Sequence, residues 1–250
     1  MEKSDFFYIR PEDVTGDFLV LAKGETHHLK NVFRKKIGDR FSAVDGMGNA
    51  FDCQIVILEK DTCRARILKR TQFVGEPSFQ LTTALAIPKK SRFEWLVEKG
   101  TEIGISKFIP LLTERTVVKA KSINMTRCKR IALSAMKQSW RCVLPEIEEP
   151  LDFVRLCKNA DIYNIKLVAH EKSPVTTFDD ILGRRQTQNL QQLKTGLLCV
   201  GPEGGFSDDE VRLARDCGFT MVGLGKRRLR SETASLIGSA LILDRVGEFR

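Results

Sequence analysis

From residue 79 onward the chain alternates strand-like and helix-like segments, and this alternation limits the possible folds more than any other feature. "FQLTTALAI" (79–87), "KFIPLL" (107–112), "NIKLVAHE" (164–171), "TGLLCVG" (195–201) and "FTMVGLG" (219–225) are apolar runs of strand length. Between them, "SRFEWLVEKGTEIGI", "NMTRCKRIALSAMKQSW", "SDDEVRLARDCG" and "SETASLIGSALILDRVGEF" carry helical spacing and helix-start signals. "FDDILGRRQTQNLQQL" (178–193) reads as a weak helix and loop. Parallel strands need a crossover of about a dozen residues or more, and helices supply it. The expected class is therefore α/β, with a mostly parallel sheet covered on both faces. Phe93, Leu96 and Val97 form the apolar face of the first helix, and Gly104 marks its end. Asn124 or Thr126 is expected to cap the next helix, and Ser231 the last.

Residues 1–73 follow another pattern. Short β-rich runs ("FFYIR", "FLVLA", "DRFSAVDGMGNAFDCQIVIL", "TCRARILKR") are separated by turn signals, which suggests a small barrel or curled sheet. "DGMGN" (45–49) is a hairpin turn. "ETHHLKNVFRKKIGD" reads as one helical insertion, capped by Thr26, with Leu29, Val32 and Phe33 on its buried face. "VGEPS" (74–78) reads as a linker, so domains are expected at 1–73 and 79–250.

Composition narrows the partners. With 42% hydrophobic residues the chain is ordinary for a soluble globular protein, and its formal net charge of +9 favours a polyanionic partner. That partner is nucleic acid or an anionic membrane surface. No apolar run approaches the length of a membrane-spanning helix, and the first residues carry no apolar leader core. The cytoplasm is the expected location. The seven cysteines are scattered without CxxC spacing, and there are only three histidines. Reduced thiols are expected and no metal site. Cys199 reads as a buried small hydrophobe.

Two glycine-rich loops stand at strand ends, where α/β proteins bind their ligands. In "VGPEGGFSDDE" (200–210), Gly201, Gly204 and Gly205 allow close backbone approach, Pro202 stiffens the turn, and Glu203 stands where a phosphate would sit. The acids Asp208, Asp209 and Glu210 fill the helix-start field, so a phosphate would be repelled and a cationic ligand fits better. A tight strand-to-helix turn accounts for this segment equally well. In "LGKRRLRSETAS" (224–235), four cations (Lys226, Arg227, Arg228, Arg230) follow a strand end and precede an apolar helix. A solvated turn explains such a run alone, but two such loops on nearby strands favour a pocket. His170-Glu171 ends a third strand. There is no GxSxG elbow and no HExxH. "HHLKNVFRKK" crowds cations on a short helix suited to phosphate contacts.

"HLKNVFRKKIGD", "EWLVEKGTEIGI", "VGPEGGFSDDE" and "LGKRRLRSETA", in that order, resemble the RsmE-type 16S rRNA uridine-N3 methyltransferases of the SPOUT superfamily. The resemblance spans essentially the whole chain. It implies a C-terminal SPOUT domain with a deep trefoil knot over about 197–245, and an N-terminal PUA-like β-barrel that helps to hold RNA. It also implies a homodimer. S-adenosyl-L-methionine would be the cofactor and N3 of uridine 1498 (rRNA numbering) in the small ribosomal subunit the target, as free 16S rRNA or in the assembled subunit. Carried onto this chain, the cofactor residues are Gly201, Pro202, Gly204, Gly205, Leu224, Gly225, Leu229, Arg230, Thr233 and His170. Arg230 is the candidate for charge stabilisation, and Glu203 and Glu232 are candidates to orient a group or accept a proton. Arg10, Lys30, Arg34, Lys89, Lys90 and Arg92 are candidates for the RNA backbone. This chain has Gly100 in the family's "ATELG" segment, and "QSWR" (138–141) where relatives read "QSGR". A non-catalytic RNA-binding or ribosome-assembly factor would share the barrel and the charge, but would not need the paired glycine loops.

Overall fold

The computed structural model describes residues 6–88, 91–117, 122–171 and 193–249. The chain divides into two compact units, one of residues 1–76 with 133–144, the other of 77–132 with 145–250.

In the first unit, β1 (Phe7–Tyr8), β2 (Val14–Thr15), β3 (Phe18–Leu21), β4 (Arg40–Val44), β5 (Asn49–Leu58) and β6 (Cys63–Gln72) form one sheet in the order β1-β4-β5-β6-β3-β2. Only β1 and β4 pair in parallel. Alternate residues Phe41, Ala43, Phe51, Cys53, Ile55, Cys63 and Ala65 point into one core, as the two-residue strand period requires. Register shifts at Asp52/Cys53 and Ile55/Ile57 add twist to the long β5–β6 pair. The "DGMGN" turn is tied by Asp45, whose carboxylate accepts from Met47 N at 2.8 Å, Asn49 N at 3.0 Å and Asn49 Nδ2 at 2.6 Å.

The helical insertion is α1 (Lys23–His27), running into a π turn at His28–Val32. Thr26 does not cap it. Ala22 is the N-cap, because the chain turns into helix directly from β3, and the buried Thr26 hydroxyl donates to Leu21 O at 3.2 Å. Val32 does not share the face of the buried Leu29, being 62% exposed. The wide turn, with Phe33 N bonded to His28 O, puts an extra residue in that turn and rotates Val32 outward.

Residues 133–144 were expected within the C-terminal domain. They belong to the first unit, where Met136 and Cys142 pack with Phe6, Val44 and Ala50. Glu76 fastens them: it accepts from Arg141 Nη2 at 2.7 Å and Nε at 3.1 Å, and from the backbone N–H of Cys142 and Val143 at 2.8 Å. Both charged side chains of this clamp are buried. Trp140 stands in the left-handed region at φ 59, where the family pattern has a glycine.

In the second unit every strand pair is parallel. β7 (Gln80–Ala86), β8 (Lys107–Leu112), β10 (Leu151–Asp152), β11 (Ile165–Ala169), β12 (Thr195–Val200) and β13 (Thr220–Val222) stand in the order β10-β8-β7-β12-β11-β13, with β9 (Glu146–Ile147) also on β8. The helices are α2 (Arg92–Ile103), α3 (Met125–Gln138, whose last turns belong to the first unit), α4 (Phe153–Lys158), α5 (Asp208–Asp216) and α6 (Ser231–Arg245). Ala84, Ile109, Leu111, Leu197 and Cys199 on one sheet face pack with Phe153 and Leu156 of α4 and Val211 and Ala214 of α5. On the other face, Ser239 of α6 hydrogen-bonds Thr83 of β7 at 2.8 Å. A Cβ at Gly238 would lie 2.7 Å from Leu198, so α6 sits directly on β12.

Phe93, Leu96 and Val97 are buried as their spacing requires, and Gly104 ends α2 at φ 105. Asn124, not Thr126, caps α3, its Oδ1 accepting from Arg127 N at 2.9 Å. Residues 178–192 of the weak helix and loop lie outside the described residues. The seven cysteines form no disulfide. Burial pushes the Cys157 thiol up to about 12 and Cys199 well above its ordinary value. No helix among the described residues is long and apolar enough to cross a membrane. Among those residues no group of three or more His, Cys, Asp or Glu is placed to hold a metal.

Candidate functional site

Three loops leave the carboxyl ends of the adjacent strands β12, β11 and β13. The first, Gly201–Ser207, is built to keep one shape. A Cβ at Gly201 would lie 3.0 Å from the ring of Phe206, which is itself buried against Phe153 at 4.5 Å between centroids. Gly205 N donates to Pro202 O at 2.8 Å, closing the turn, and Gly205 takes φ 69. Arg115, beyond the end of β8, donates from Nη1 to Gly204 O at 2.9 Å and to Phe206 O at 3.3 Å.

Ser207 and Glu210 form a reciprocal capping box at the start of α5. Glu210 accepts from Ser207 N at 2.9 Å through one oxygen and from Glu114 N at 2.9 Å through the other. Asp209 pairs with Arg212. The acidic helix start was expected to serve a cationic ligand. The structure corrects this for Glu210 and Asp209, because backbone donors and a neighbouring arginine already use their charge.

The second loop, Gly223–Arg230, is the opposite case. Gly225 has φ 96, and Lys226, Arg227, Arg228 and Arg230 are all exposed. Arg228 reaches the other two loops: its Nη2 donates to Glu203 O at 3.0 Å, and its Nε lies 3.6 Å from Glu171 Oε1. His170 N donates to Val222 O at 2.9 Å, tying the third loop to the end of β13. Arg230 makes no ion pair with another described residue.

The helix after this loop starts one residue earlier than expected. Arg230, not Ser231, is the N-cap, with Ala234 N bonded to its carbonyl at 2.8 Å. Ser231 is the first helical residue, and its carbonyl accepts from Ser235 Oγ at 2.9 Å. This shift puts Glu232 in the first turn, buried, with Leu229 and Thr233 half-buried beside it.

Glu203 and Glu232 meet at Arg92, the first residue of α2, which follows β7. Arg92 Nη1 donates to Glu203 Oε1 at 2.8 Å, and Arg92 Nε lies 3.6 Å from Glu232 Oε1. The environments of the two acids differ. The Glu203 side chain is 62% exposed, whereas that of Glu232 is 9% exposed. Glu232 Oε2 is buried without a hydrogen-bond partner among the described residues. A buried carboxylate oxygen in that state is costly unless a donor or cation completes it.

The structure thus brings together Gly201, Pro202, Glu203, Gly204, Gly205, His170, Leu224, Gly225, Leu229, Arg230, Glu232 and Thr233 at one end of the sheet, with Arg92 among them. Arg10, Lys30 and Arg34 lie in the first unit, and Arg10 is engaged by Asp13 at 2.7 Å. Lys89 and Lys90 lie outside the described residues. Sequence reasoning missed Arg115 and Glu114. The signal was present, since "LTERT" places polar residues beyond the carboxyl end of β8.

Comparison with known proteins bears on the same residues. The family model described as "RNA methyltransferase domain" matches residues 75–243, and that of the "RNA methyltransferase PUA domain" matches residues 21–68. The ribosomal RNA small subunit methyltransferase E of Synechocystis sp. is 34% identical over 94% of this chain and 75% of its own length. The protein of the same name from Bacillus subtilis is 32% identical over 87% of this chain and 86% of its own. The crystal structure of a ribosomal RNA small subunit methyltransferase E from Neisseria gonorrhoeae, bound to S-adenosyl methionine, superposes with a TM-score of 0.83 at 28% identity, covering 98% of this chain and 99% of that one. With both family models matched in sequence order and this likeness extending over nearly its full length, the chain belongs to the RNA methyltransferases of the ribosomal RNA small subunit methyltransferase E family.

Proposed function

We propose that the chain methylates N3 of a single uridine of 16S rRNA, uridine 1498 in rRNA numbering, with S-adenosyl-L-methionine as donor. The observation that carries this reading is the buried, incompletely partnered Glu232 beside two glycine loops at the strand ends. An acid in that state fits a ligand with cationic and hydroxyl groups and disfavours a polyphosphate. The Gly201–Ser207 loop offers backbone without side-chain bulk, as a bound nucleoside requires.

When bound, the cofactor supplies a methyl on a sulfonium, with a neutral thioether as leaving group. The chain must do the rest. Uracil N3–H is a weak acid, so its loss leaves negative charge on O2 and O4 that a preorganised cation stabilises. Arg230 is that cation in this reading, because it is exposed at the loop end and not spent on another described residue. Glu232 is the stronger candidate to accept or relay the proton, since Glu203 is exposed and already engaged by Arg92. N3 lies on the pairing edge, so the target uridine must be unpaired or flipped out.

The same reading carries the trefoil knot over 197–245 and a homodimer. For the homodimer, the support is exposed apolar surface on the packed pair α2 and α6, Trp95 at 40% and Ile237 at 39%. Two measurements test the function: titration calorimetry with S-adenosyl-L-methionine, then mass spectrometry of nucleosides from small-subunit rRNA after incubation. Binding and appearance of 3-methyluridine are expected. Absence of cofactor binding would sink the reading, and a methyl on another base would replace the target.

A further inference from the structure

The outer face of the sheet in the first unit is covered along only part of its length. At one end Val44 and Ala50, opposite each other on β4 and β5, pack with Met136 and Cys142. Two residues further along each strand the same face carries cations in register. Arg40 stands opposite Gln54, Gln54 opposite Arg66, and Arg66 opposite Phe18, a continuous row over β4, β5, β6 and β3. Lys69 and Arg64 flank this row along β6, opposite Asp52 and Val20. Arg40, Arg64, Arg66 and Lys69 are all exposed, and none makes an ion pair with another described residue. Arg64 lies flat over the half-buried Phe18 ring, its guanidinium carbon 4.4 Å from the centroid.

We propose that this open face is an RNA-contact surface, distinct from the Arg10, Lys30 and Arg34 candidates, that holds an unpaired stretch of the substrate RNA. The proposal rests on the rRNA methyltransferase reading above. Arg40, Arg66 and Lys69 contact phosphates, and Arg64 is layered between Phe18 and a nucleobase. Neighbouring strands lie about 4.8 Å apart, so Arg40 and Arg66, two strands apart, present charges roughly 10 Å apart on a flat surface. That suits an extended backbone followed across the strands. Charge alone would also serve an anionic membrane or an acidic protein. The guanidinium held flat on an aromatic ring distinguishes them, because its free plane has a use only with a planar partner.

The test uses the full-length chain and a short unpaired fragment of small-subunit rRNA, with affinity measured over a salt series. The double variant R64A/R66A should bind this RNA on the order of tenfold more weakly, with a log–log salt slope shallower by about two. Arg64→Lys keeps the charge and gives up the plane, so it should weaken binding a few-fold with an unchanged slope. Melting temperature and cofactor affinity should stay at the wild-type values in both. A folded double variant with wild-type RNA affinity and slope would overturn the proposal. So would a defect seen on phosphatidylglycerol vesicles and not on RNA, and Arg64→Lys binding as wild type would overturn the stacking role. Failure of the methyltransferase reading would show separately, in the unaltered protein, as absent cofactor binding or methyl transfer.

Discussion

The two glycine loops that resemble each other in sequence differ in what they do with their polar groups. In Gly201–Ser207 and the helix start after it, much of the polar capacity is spent within the protein. Arg115 takes two carbonyls, Ser207 and Glu210 cap each other, and Glu210 also holds Glu114 N. In Gly223–Arg230 the side chains face solvent, with only Arg228 reaching back to the neighbouring loops. Composition therefore does not distinguish a loop that shapes a site from a loop that acts in it. The use to which each charge is put does.

The largest expected effect follows from that difference. Arg230→Ala should reduce methyl transfer by on the order of a hundredfold or more, as for loss of one transition-state donor, while melting temperature and cofactor affinity hold. Single-turnover kinetics beside a thermal melt would show it, and equal loss of stability would erase the contrast between the loops. Glu210→Ala tests the other side. It strips the partners from Ser207 N and Glu114 N and should cost about 2–4 kcal/mol of stability, read by denaturant unfolding. Gly201→Ala should cost about 1–2 kcal/mol, because its Cβ meets the buried Phe206 ring. Glu203→Gln should do least, changing stability by about 0.5 kcal/mol or less, since its pair with Arg92 is open to solvent. If it instead abolished transfer as Arg230→Ala does, the role assigned to Glu232 would pass to Glu203.

Much of this was legible in the sequence where the physics is local. Ser207 with Glu210 three residues on is a capping box in any context, Gly104 ends a helix, and alternating residues of β4 to β6 point to one core. Caps chosen by residue type alone failed where the chain's direction decided the boundary: Ala22 rather than Thr26, Arg230 rather than Ser231. The acids after Gly205 were legible as helix-start residues but not as spent ones, because Glu114 comes from a strand end 96 residues away. The membership of 133–144 in the first unit was invisible for the same reason, since Glu76 and Arg141 are 65 residues apart.

The Glu76–Arg141 clamp bears on how such a protein is inherited. Because 133–144 returns to the first unit, the chain passes between the units three times, after residues 76, 132 and 144. No single cut in the gene separates them cleanly. A fragment ending at Glu76 would keep a buried carboxylate stripped of its guanidinium and leave Val44 and Ala50 bare. A fragment beginning at Pro77 would carry the apolar side of Met136 and Cys142 into water. Each half would be sticky and short of partners, so recombination that shuffles whole domains meets resistance here, and the two units are bound to travel through evolution as a single heritable piece.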